Sequence, residues 1–177
     1  DASPNDTSTF LREISAKDSR IRFFRNDVSL GGGGARNVGV NKSRGEWVAF
    51  LDDDDEWLSH KLETQLKKLE SSPEAAACSG AYKLVFPSGR SKVKNPPKQV
   101  VLESLLRGNN LGGASLCICS RKVLNDIGGF DTMLRSGQDW DLWVRLCLQG
   151  NIVASGDVLI LYNAHEGPRI TKSMEAQ

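Results

Sequence analysis

Short apolar runs alternate with helical patterns along the chain, which is typical of an α/β protein with a mostly parallel sheet. The strand-length apolar runs lie at residues 21–25, 47–51, 75–86, 114–120, 152–154 and 158–162. The helical patterns cover residues 8–16, 31–43, 59–70, 100–107 and 138–149. The chain shows no internal repeat and no second unit. We therefore expect one domain over residues 1–177, with a polar and mobile tail over residues 163–177.

Apolar stripes predict the buried faces of two of these helices. In residues 59–70 the stripe consists of Leu62, Leu66 and Leu69. In residues 138–149 the stripe consists of Trp140, Trp143, Val144, Cys147 and Leu148. These are the helix positions that we expect to be buried.

Composition and charge exclude several classes of function. Lys and Arg number 23 against 22 Asp and Glu, and a net charge of +1 argues against a nucleic-acid binder held by bulk charge. No apolar run is long enough to span a bilayer, and no stretch of these residues resembles a signal peptide, so we expect a cytoplasmic protein, or one peripheral at the inner face of the membrane. The four cysteines lack zinc-ligand spacing, and we expect reduced, buried thiols.

Four aspartates, residues 52–55, directly follow the apolar run at residues 47–51. Adjacent carboxylates repel one another, so such a run is expected where something compensates the charge. Ligands of α/β sheets bind beyond the carboxyl ends of the strands, and Mg²⁺ or Mn²⁺ there combines carboxylates with phosphate oxygens and water. The run therefore predicts a metal-diphosphate site. A solvated loop with Asp55 or Ser59 capping the next helix is the alternative, but capping accounts for only one of these aspartates.

The glycine run at residues 31–34 precedes a predicted helix, whose free N–H groups favour anions. No Lys-Ser/Thr pair stands directly after these glycines, so this is not a phosphate loop of the Walker type. Arg36 stands early in the helix, where its planar guanidinium can pair with a phosphate or a base carbonyl. A flexible turn explains the glycines equally well, and both interpretations stay open.

Asp139 and Asp141 stand at the start of the helix predicted at residues 138–149. The helix dipole favours the charged form of a carboxylate at this end. On spacing alone, simple capping of the helix is the favoured interpretation of both residues.

Taken together and in this order, the motifs resemble the inverting glycosyltransferases of family 2. The resemblance covers nearly the whole chain and is carried by DASPNDTS, GGGGARNVGVNKSRGEWVAFLDDDDEW, HKLETQL, GGFDTMLRSGQDWDLWVRL and YNAHEGPRITKS. It implies the GT-A fold, a Rossmann-like and mostly parallel sheet flanked by helices. It also implies that the family's first strand and helix are absent before Asp1, so we expect a domain that is partial at its N-terminus.

The resemblance assigns the acidic run to the D-x-D motif of the family. Asp54 is then the metal ligand that joins Mn²⁺ or Mg²⁺ to the donor diphosphate, and Asp52 or Asp53 lies near the ribose. Asp1 matches a loop that contacts the nucleobase, and Arg36 matches a residue near the base or the diphosphate. These four residues beside Asp54 form the nucleotide-sugar site that the resemblance implies.

The resemblance also assigns a catalytic base and a closing segment. Asp139 matches the base that deprotonates the acceptor hydroxyl, and Gln138 stands where the family commonly has an acidic residue. His165 matches a late histidine that contacts the metal or the diphosphate. Arg169 and Lys172 are placed to fold over the phosphates when the donor binds, and a basic, solvated tail explains them equally well.

The implied activity is a metal-dependent, inverting transfer of a sugar from a nucleoside-diphosphate donor to a hydroxyl acceptor. A UDP-sugar is the favoured donor, and a carbohydrate or lipid-linked acceptor in polysaccharide or cell-envelope glycan synthesis is the favoured partner. Two alternatives stay open, a nucleotidyltransferase and a non-catalytic module that binds nucleotide or metal.

Overall fold

The structure is a computed structural model that describes residues 1–3, 6–97 and 100–164. These residues contain six helices and six strands. The helices are α1 (Thr7–Lys17), α2 (Gly31–Lys42), α3 (Lys61–Glu70), α4 (Leu102–Arg107), α5 (Arg121–Asp126) and α6 (Gln138–Cys147). The strands are β1 (Trp47–Ala49), β2 (Asp55–Trp57), β3 (Ala75–Val85), β4 (Ser91–Lys94), β5 (Ile118–Ser120) and β6 (Asn151–Asn163). A 3-10 turn, Ala114–Leu116, precedes β5.

The strands form one mixed sheet in the order β1-β5-β3-β6-β2, with β4 paired to β3. Only β3 and β6 run parallel, while β1 with β5, β3 with β5, β3 with β4, and β2 with β6 are antiparallel. The α/β class is confirmed, but the prediction of a mostly parallel sheet is wrong. Alternating strands and helices predict helical crossovers between parallel strands, whereas β3 turns directly into β4, and β5 lies antiparallel between β1 and β3.

Several strand predictions differ from the structure. Residues 21–25 form no strand, since no strand of the described residues pairs with them, and residues 114–120 divide into the 3-10 turn and β5. The two strands predicted at residues 152–162 are one strand, β6, whose pairing with β3 is irregular near its middle. The acidic strand β2 was not predicted, because its sequence lacks an apolar run.

The helix α6 covers the sheet core through part of the predicted stripe, since Trp143 is buried and Val144 and Cys147 pack against the core. Leu142, Trp143 and Leu146 are fully buried, whereas Trp140 and Leu148 are 38% and 61% exposed. The buried face of α6 therefore overlaps with the predicted stripe but is centred on a different line of residues, which includes Leu142 and Leu146.

The helix α3 buries two polar side chains together with only one of the three predicted leucines, Leu69. Leu62 and Leu66 are 40% and 37% exposed, whereas Lys61 and Gln65 are 1% and 0% exposed beside the buried Leu69. The leucine spacing predicted the helix correctly but not the face that meets the sheet. The sequence does not predict the burial of Lys61 and Gln65, because buried polar side chains need hydrogen-bond partners that only the fold supplies.

Lys61 and Gln65 are held by contacts with two strands and the 3-10 turn. The Lys61 ammonium donates to Gln65 Oε1 at 2.7 Å and lies 4.5 Å from the centre of the Trp57 ring. The Gln65 amide donates to the carbonyls of Cys78 and Leu116 at 2.8 and 2.9 Å. Burial lowers the pKa of Lys61 from 10.5 to about 8, although nearby thiols oppose the shift.

We expect the buried Lys61 ammonium to make the stability of the protein depend on pH. Its folded pKa lies below its unfolded pKa, so the cost of burying the charge is full below pH 8 and disappears above pH 10.5. Between these values the free energy of unfolding of the parent should rise relative to Lys61→Met by about 3 kcal/mol at most. Urea titrations of both proteins from pH 7 to 10.5 measure this difference, and a pH-independent difference would contradict the assignment.

The four cysteines are free thiols, as predicted, and Cys78, Cys117 and Cys119 are buried. Within the described ranges, no helix is long and apolar enough to cross a membrane.

Candidate active site

The acidic turn, residues 52–55, joins β1 to β2. The N–H of Asp55 donates to the carbonyl of Asp52 at 3.2 Å, which closes the turn. Asp53 and Asp54 are exposed, whereas Asp52 and Asp55 are half-buried. Neither Asp55 nor Ser59 caps the next helix, because α3 is preceded by His60 and receives no side-chain cap.

An ion pair joins this turn to the helix that follows the glycine run. A guanidinium nitrogen of Arg36 lies 2.6 Å from Asp52 Oδ1, and both side chains are largely covered. The Arg36 guanidinium also lies 5.4 Å from the centre of the Phe130 ring. The structure thus brings together two of the predicted nucleotide-sugar residues in a rigid and partly desolvated arrangement.

Asp139 lies in the first turn of α6, within electrostatic reach of the Arg36–Asp52 ion pair. Its Oδ1 atom is buried and has no hydrogen-bond partner within the described residues. Burial raises the pKa of Asp139, Arg36 and the Ala114 N–H lower it, and Asp52 raises it further. The predicted base therefore lies within electrostatic reach of Arg36 and Asp52, two residues predicted to bind the sugar donor. Asp52 and Asp139 are 87 positions apart in the sequence.

Ser115 connects the acidic turn to the core, and the sequence analysis missed it. Its hydroxyl is fully buried and accepts the Asp52 N–H at 3.0 Å, while its carbonyl accepts from the Trp57 indole at 2.9 Å. Burial raises the pKa of Asp55 to about 6, a hydrogen bond from Ser115 opposes the shift, and Asp54 and Asp52 add to it. The only signal in the sequence was a polar residue within an apolar run.

Tyr162 is a second residue that the sequence analysis missed. It lies directly opposite Asp55 in the pairing of β2 with β6. Its hydroxyl accepts the Gly113 N–H at 3.0 Å, and burial raises the pKa of that hydroxyl, with Asp55 and Asp139 adding to the shift. No local pattern marks this tyrosine, because its partners come from β2, α6 and the loop before the 3-10 turn.

The glycine run is a packing surface as well as a helix start. A Cβ on Gly33 would lie 3.1 Å from the Gln138 amide, and one on Gly32 would lie 3.2 Å from an Arg36 nitrogen. Gln138 is held there by a 2.6 Å hydrogen bond from its Nε2 to the Leu134 carbonyl. The missing side chains therefore let α6 and Arg36 approach the first turn of α2, which a merely flexible turn does not explain.

Asp1 organises the loop before α2. Its carboxylate accepts from the Asn26 amide at 2.9 Å, from the Ser29 hydroxyl at 2.8 Å, and from the Leu30 N–H at 2.9 and 3.0 Å. The predicted contact of Asp1 with a nucleobase stays a prediction. The predicted roles of His165, Arg169 and Lys172 lie outside the described residues.

The acidic turn fits a hard divalent cation that takes most of its ligands from phosphate and water. Its side-chain donors are carboxylate oxygens only, which Mg²⁺ and Mn²⁺ prefer. Over residues 1–3, 6–97 and 100–164, no group of three or more His, Cys, Asp or Glu is arranged to hold a metal ion. A metal at this turn would therefore depend on a bound diphosphate to complete its shell.

The sequence profile described as "Glycosyl transferase family 2" matches residues 1–128, which is more than half of the chain. The chain belongs to glycosyltransferase family 2. The resemblance of its motifs to this family is thus confirmed, and the match includes α2, the acidic turn and the 3-10 turn.

Two family relatives illustrate the range of similarity. An uncharacterized glycosyltransferase of Haemophilus influenzae is 32% identical over 129 residues, which are 71% of this chain and 44% of that protein. The Escherichia coli UDP-Glc:alpha-D-GlcNAc-diphosphoundecaprenol beta-1,3-glucosyltransferase WfgD is 27% identical over 147 residues, which are 83% of this chain and 56% of that protein. The chain spans about half the length of these curated relatives.

Solved structures show the same fold. S. aureus TarS 1–349 in complex with UDP-GlcNAc has a TM-score of 0.75 at 19% identity and covers 97% of this chain, which corresponds to 50% of the TarS chain. The same protein in complex with UDP has a TM-score of 0.71 at 20% identity over 93% of this chain and 49% of its own. At these identities the likeness establishes a GT-A-like α/β fold.

Proposed function

We propose that this chain is the catalytic domain of a metal-dependent, inverting glycosyltransferase. It transfers a sugar from a nucleoside-diphosphate donor, a UDP-sugar, to a hydroxyl of a carbohydrate or lipid-linked acceptor in cell-envelope glycan synthesis. The observation that carries the proposal is the buried, unpartnered Oδ1 of Asp139, which shares its environment with the Arg36–Asp52 pair of the acidic turn. The names of WfgD and the TarS complex support the choice of UDP-sugar.

Asp139 is the general base of the proposed reaction. Its carboxylate removes the proton from the acceptor hydroxyl as that oxygen attacks the anomeric carbon and the bond to the diphosphate breaks. Burial raises the pKa of Asp139, which makes it a stronger base than an exposed aspartate. No protein donor among the described residues occupies the Oδ1 atom of this carboxylate, so none competes there with the acceptor proton.

Arg36, Asp52, Asp53 and Asp1 hold the donor in this proposal. Arg36 already lies between the acidic turn and the glycine run, so its charge is oriented without further ordering. Asp52 or Asp53 contacts the ribose, and the loop that Asp1 organises contacts the base. The first turn of α2 adds backbone N–H groups beside the diphosphate.

Asp54 is the proposed protein ligand of Mn²⁺ or Mg²⁺, with His165 as a second contact. Such an ion, when bound, neutralises the charge that develops on the departing nucleoside diphosphate. Asp54 is well suited to this role because it is exposed at the tip of the turn, while Ser115 holds the neighbouring Asp52 backbone.

A panel of UDP-, GDP- and TDP-sugars tests the proposal. We expect one donor to raise the melting temperature only when Mn²⁺ or Mg²⁺ is present. Incubation of that donor with candidate acceptors should release the nucleoside diphosphate. Release of pyrophosphate would indicate a nucleotidyltransferase instead, and tight binding without turnover across all donors and acceptors would indicate a non-catalytic module.

The charges around Asp139 predict how activity depends on pH. Because burial raises the pKa of Asp139, kcat should fall at acidic pH through that raised pKa, above the range of an exposed aspartate. Arg36 lowers this pKa and Asp52 raises it, so the acidic limb should move to higher pH in Arg36→Gln and to lower pH in Asp52→Asn. Profiles of kcat against pH at saturating donor and metal measure both shifts. Shifts of the same sign would contradict the assignment of Asp139 as the base.

A further inference from the structure

Three consecutive residues, the 113–115 segment, touch both halves of the candidate site. The Gly113 N–H donates to the Tyr162 hydroxyl, and the Ala114 N–H lies close enough to Asp139 to lower the pKa of that carboxyl. The hydroxyl of Ser115 accepts from the Asp52 N–H and stabilises the Asp55 carboxylate. One short loop thus relates the proposed base to the acidic turn.

Tyr162 fixes the N-terminal end of this segment. Its hydroxyl lies 3.0 Å from the Gly113 nitrogen, and its ring is held edge-on against Tyr82 with 4.8 Å between the ring centres. A Cβ on Gly113 would lie 2.9 Å from the Tyr162 hydroxyl and 3.6 Å from Asp139 Oδ2. The absence of a side chain at Gly113 therefore lets the phenol and the base approach the same point of the backbone.

Without the contact between Tyr162 and Gly113, the acidic turn keeps more of its supporting contacts than Asp139 does. Asp52 has two further supports, the ion pair with Arg36 and the turn closed by Asp55. Asp139, by contrast, has no hydrogen bond to Oδ1 within the described part of the chain. A loosened 113–115 segment should therefore displace the base more than the donor residues.

We propose that Tyr162 is a positioning residue for sugar transfer, which acts by holding the 113–115 segment and through it the Asp139 carboxylate. This proposal rests on the proposed function of the site. Tyr162 does not exchange a proton with the substrate in this role. Its hydroxyl accepts the Gly113 N–H and keeps the base aligned with the acceptor oxygen.

Tyr162→Phe tests this role because it removes the hydroxyl and retains the ring that packs against Tyr82. We expect kcat to fall about 10- to 100-fold, since small displacements of a catalytic group have effects of this size. The KM for the donor should stay within about twofold, because Asp52 and Arg36 keep their own contacts. The melting temperature should fall by only about 2–4 °C, because the loss of one hydrogen bond costs about 1 kcal/mol.

Tyr82→Phe is the matched control, since it makes the same chemical change in the neighbouring ring, which has no hydrogen bond to the 113–115 segment in the described structure. We expect its kcat and KM to equal those of the parent. Parental kcat in Tyr162→Phe, or an equal loss in both variants, would overturn the proposal.

Amide hydrogen exchange separates this inference from the proposed function. In a peptide that contains residues 110–117, exchange at Gly113 should be about fivefold faster in Tyr162→Phe, the effect of one ordinary hydrogen bond. Tyr82→Phe should exchange like the parent. If the parent transfers no sugar from any donor, the proposed function fails, and unchanged exchange in Tyr162→Phe would independently overturn the role of Tyr162.

Discussion

Asp139→Asn is expected to lower kcat about 10²- to 10⁴-fold, the usual contribution of a general base. The amide keeps the size and shape of the side chain but cannot take the acceptor proton. The variant should remain folded, because burial raises the pKa of Asp139 and the ionised form therefore destabilises the folded state at neutral pH. This cost is absent below the unfolded pKa and is complete above the folded pKa, so the neutral amide avoids it. Initial rates at saturating donor and metal measure the loss.

Asp141→Asn is the matched control for this experiment. Asp141 lies on the same helix, two positions later, and forms an ion pair with Arg145 at 2.6 Å. The change removes the same charge but leaves Asp139 in place, so kcat should stay within about twofold of the parent. If Asp139→Asn retained parental kcat, or if both variants lost activity equally, Asp139 would not be the base.

Asp54→Ala is expected to remove metal-dependent donor binding and to lower kcat/KM about 100-fold or more, since a Lewis-acid metal contributes several kcal/mol. Without the carboxylate, the turn loses its proposed protein ligand for the ion beside the diphosphate. Calorimetry with UDP in the presence and absence of Mn²⁺ should show that the metal no longer strengthens binding. Rates over a range of Mn²⁺ concentrations provide the second measurement.

Glu56→Gln is the control for Asp54→Ala. Glu56 is exposed on β2, two residues beyond Asp54, so the change removes one negative charge near the turn without touching the proposed ligand. We expect its metal dependence to equal that of the parent, because an exposed charge at this distance is screened by solvent. Parental metal dependence in Asp54→Ala would show that the ion binds elsewhere, and equal losses in both variants would indicate a general electrostatic effect.

Local patterns predicted the parts of the site that lie within one stretch of chain. The apolar run ending in the acidic turn, the helix that begins at Gly31 and the helix that begins at Gln138 all occur where the sequence predicts them. Each prediction depends on neighbours within a few residues, such as a strand-length apolar run or a helical spacing. The family motifs assigned Arg36, the acidic turn and Asp139 to one site, whereas the ion pair between Arg36 and Asp52 is seen only in the structure.

The same local patterns failed wherever the answer depended on a distant partner. Residues 21–25 have the composition of a strand but pair with no strand of the described sheet. Leu62 and Leu66 have helical spacing, yet the buried face of α3 carries Lys61 and Gln65, whose polar atoms are satisfied mainly by each other and by the carbonyls of Cys78 and Leu116. Burial of polar side chains cannot be anticipated without those partners.

The sequence by itself determined the α/β class, the main helices, the acidic turn and the family of this protein. These features depend on short-range periodicity and on the order of motifs, both of which can be recognised from neighbouring residues. Only the tertiary structure decided the directions of the strands, the packing of Gln138 on the glycine run, and the roles of Ser115 and Tyr162. The physical reason is that hydrogen bonding and burial depend on groups that folding brings together from far along the chain. Tyr162 meets Gly113 across 49 positions, and no local pattern records that contact.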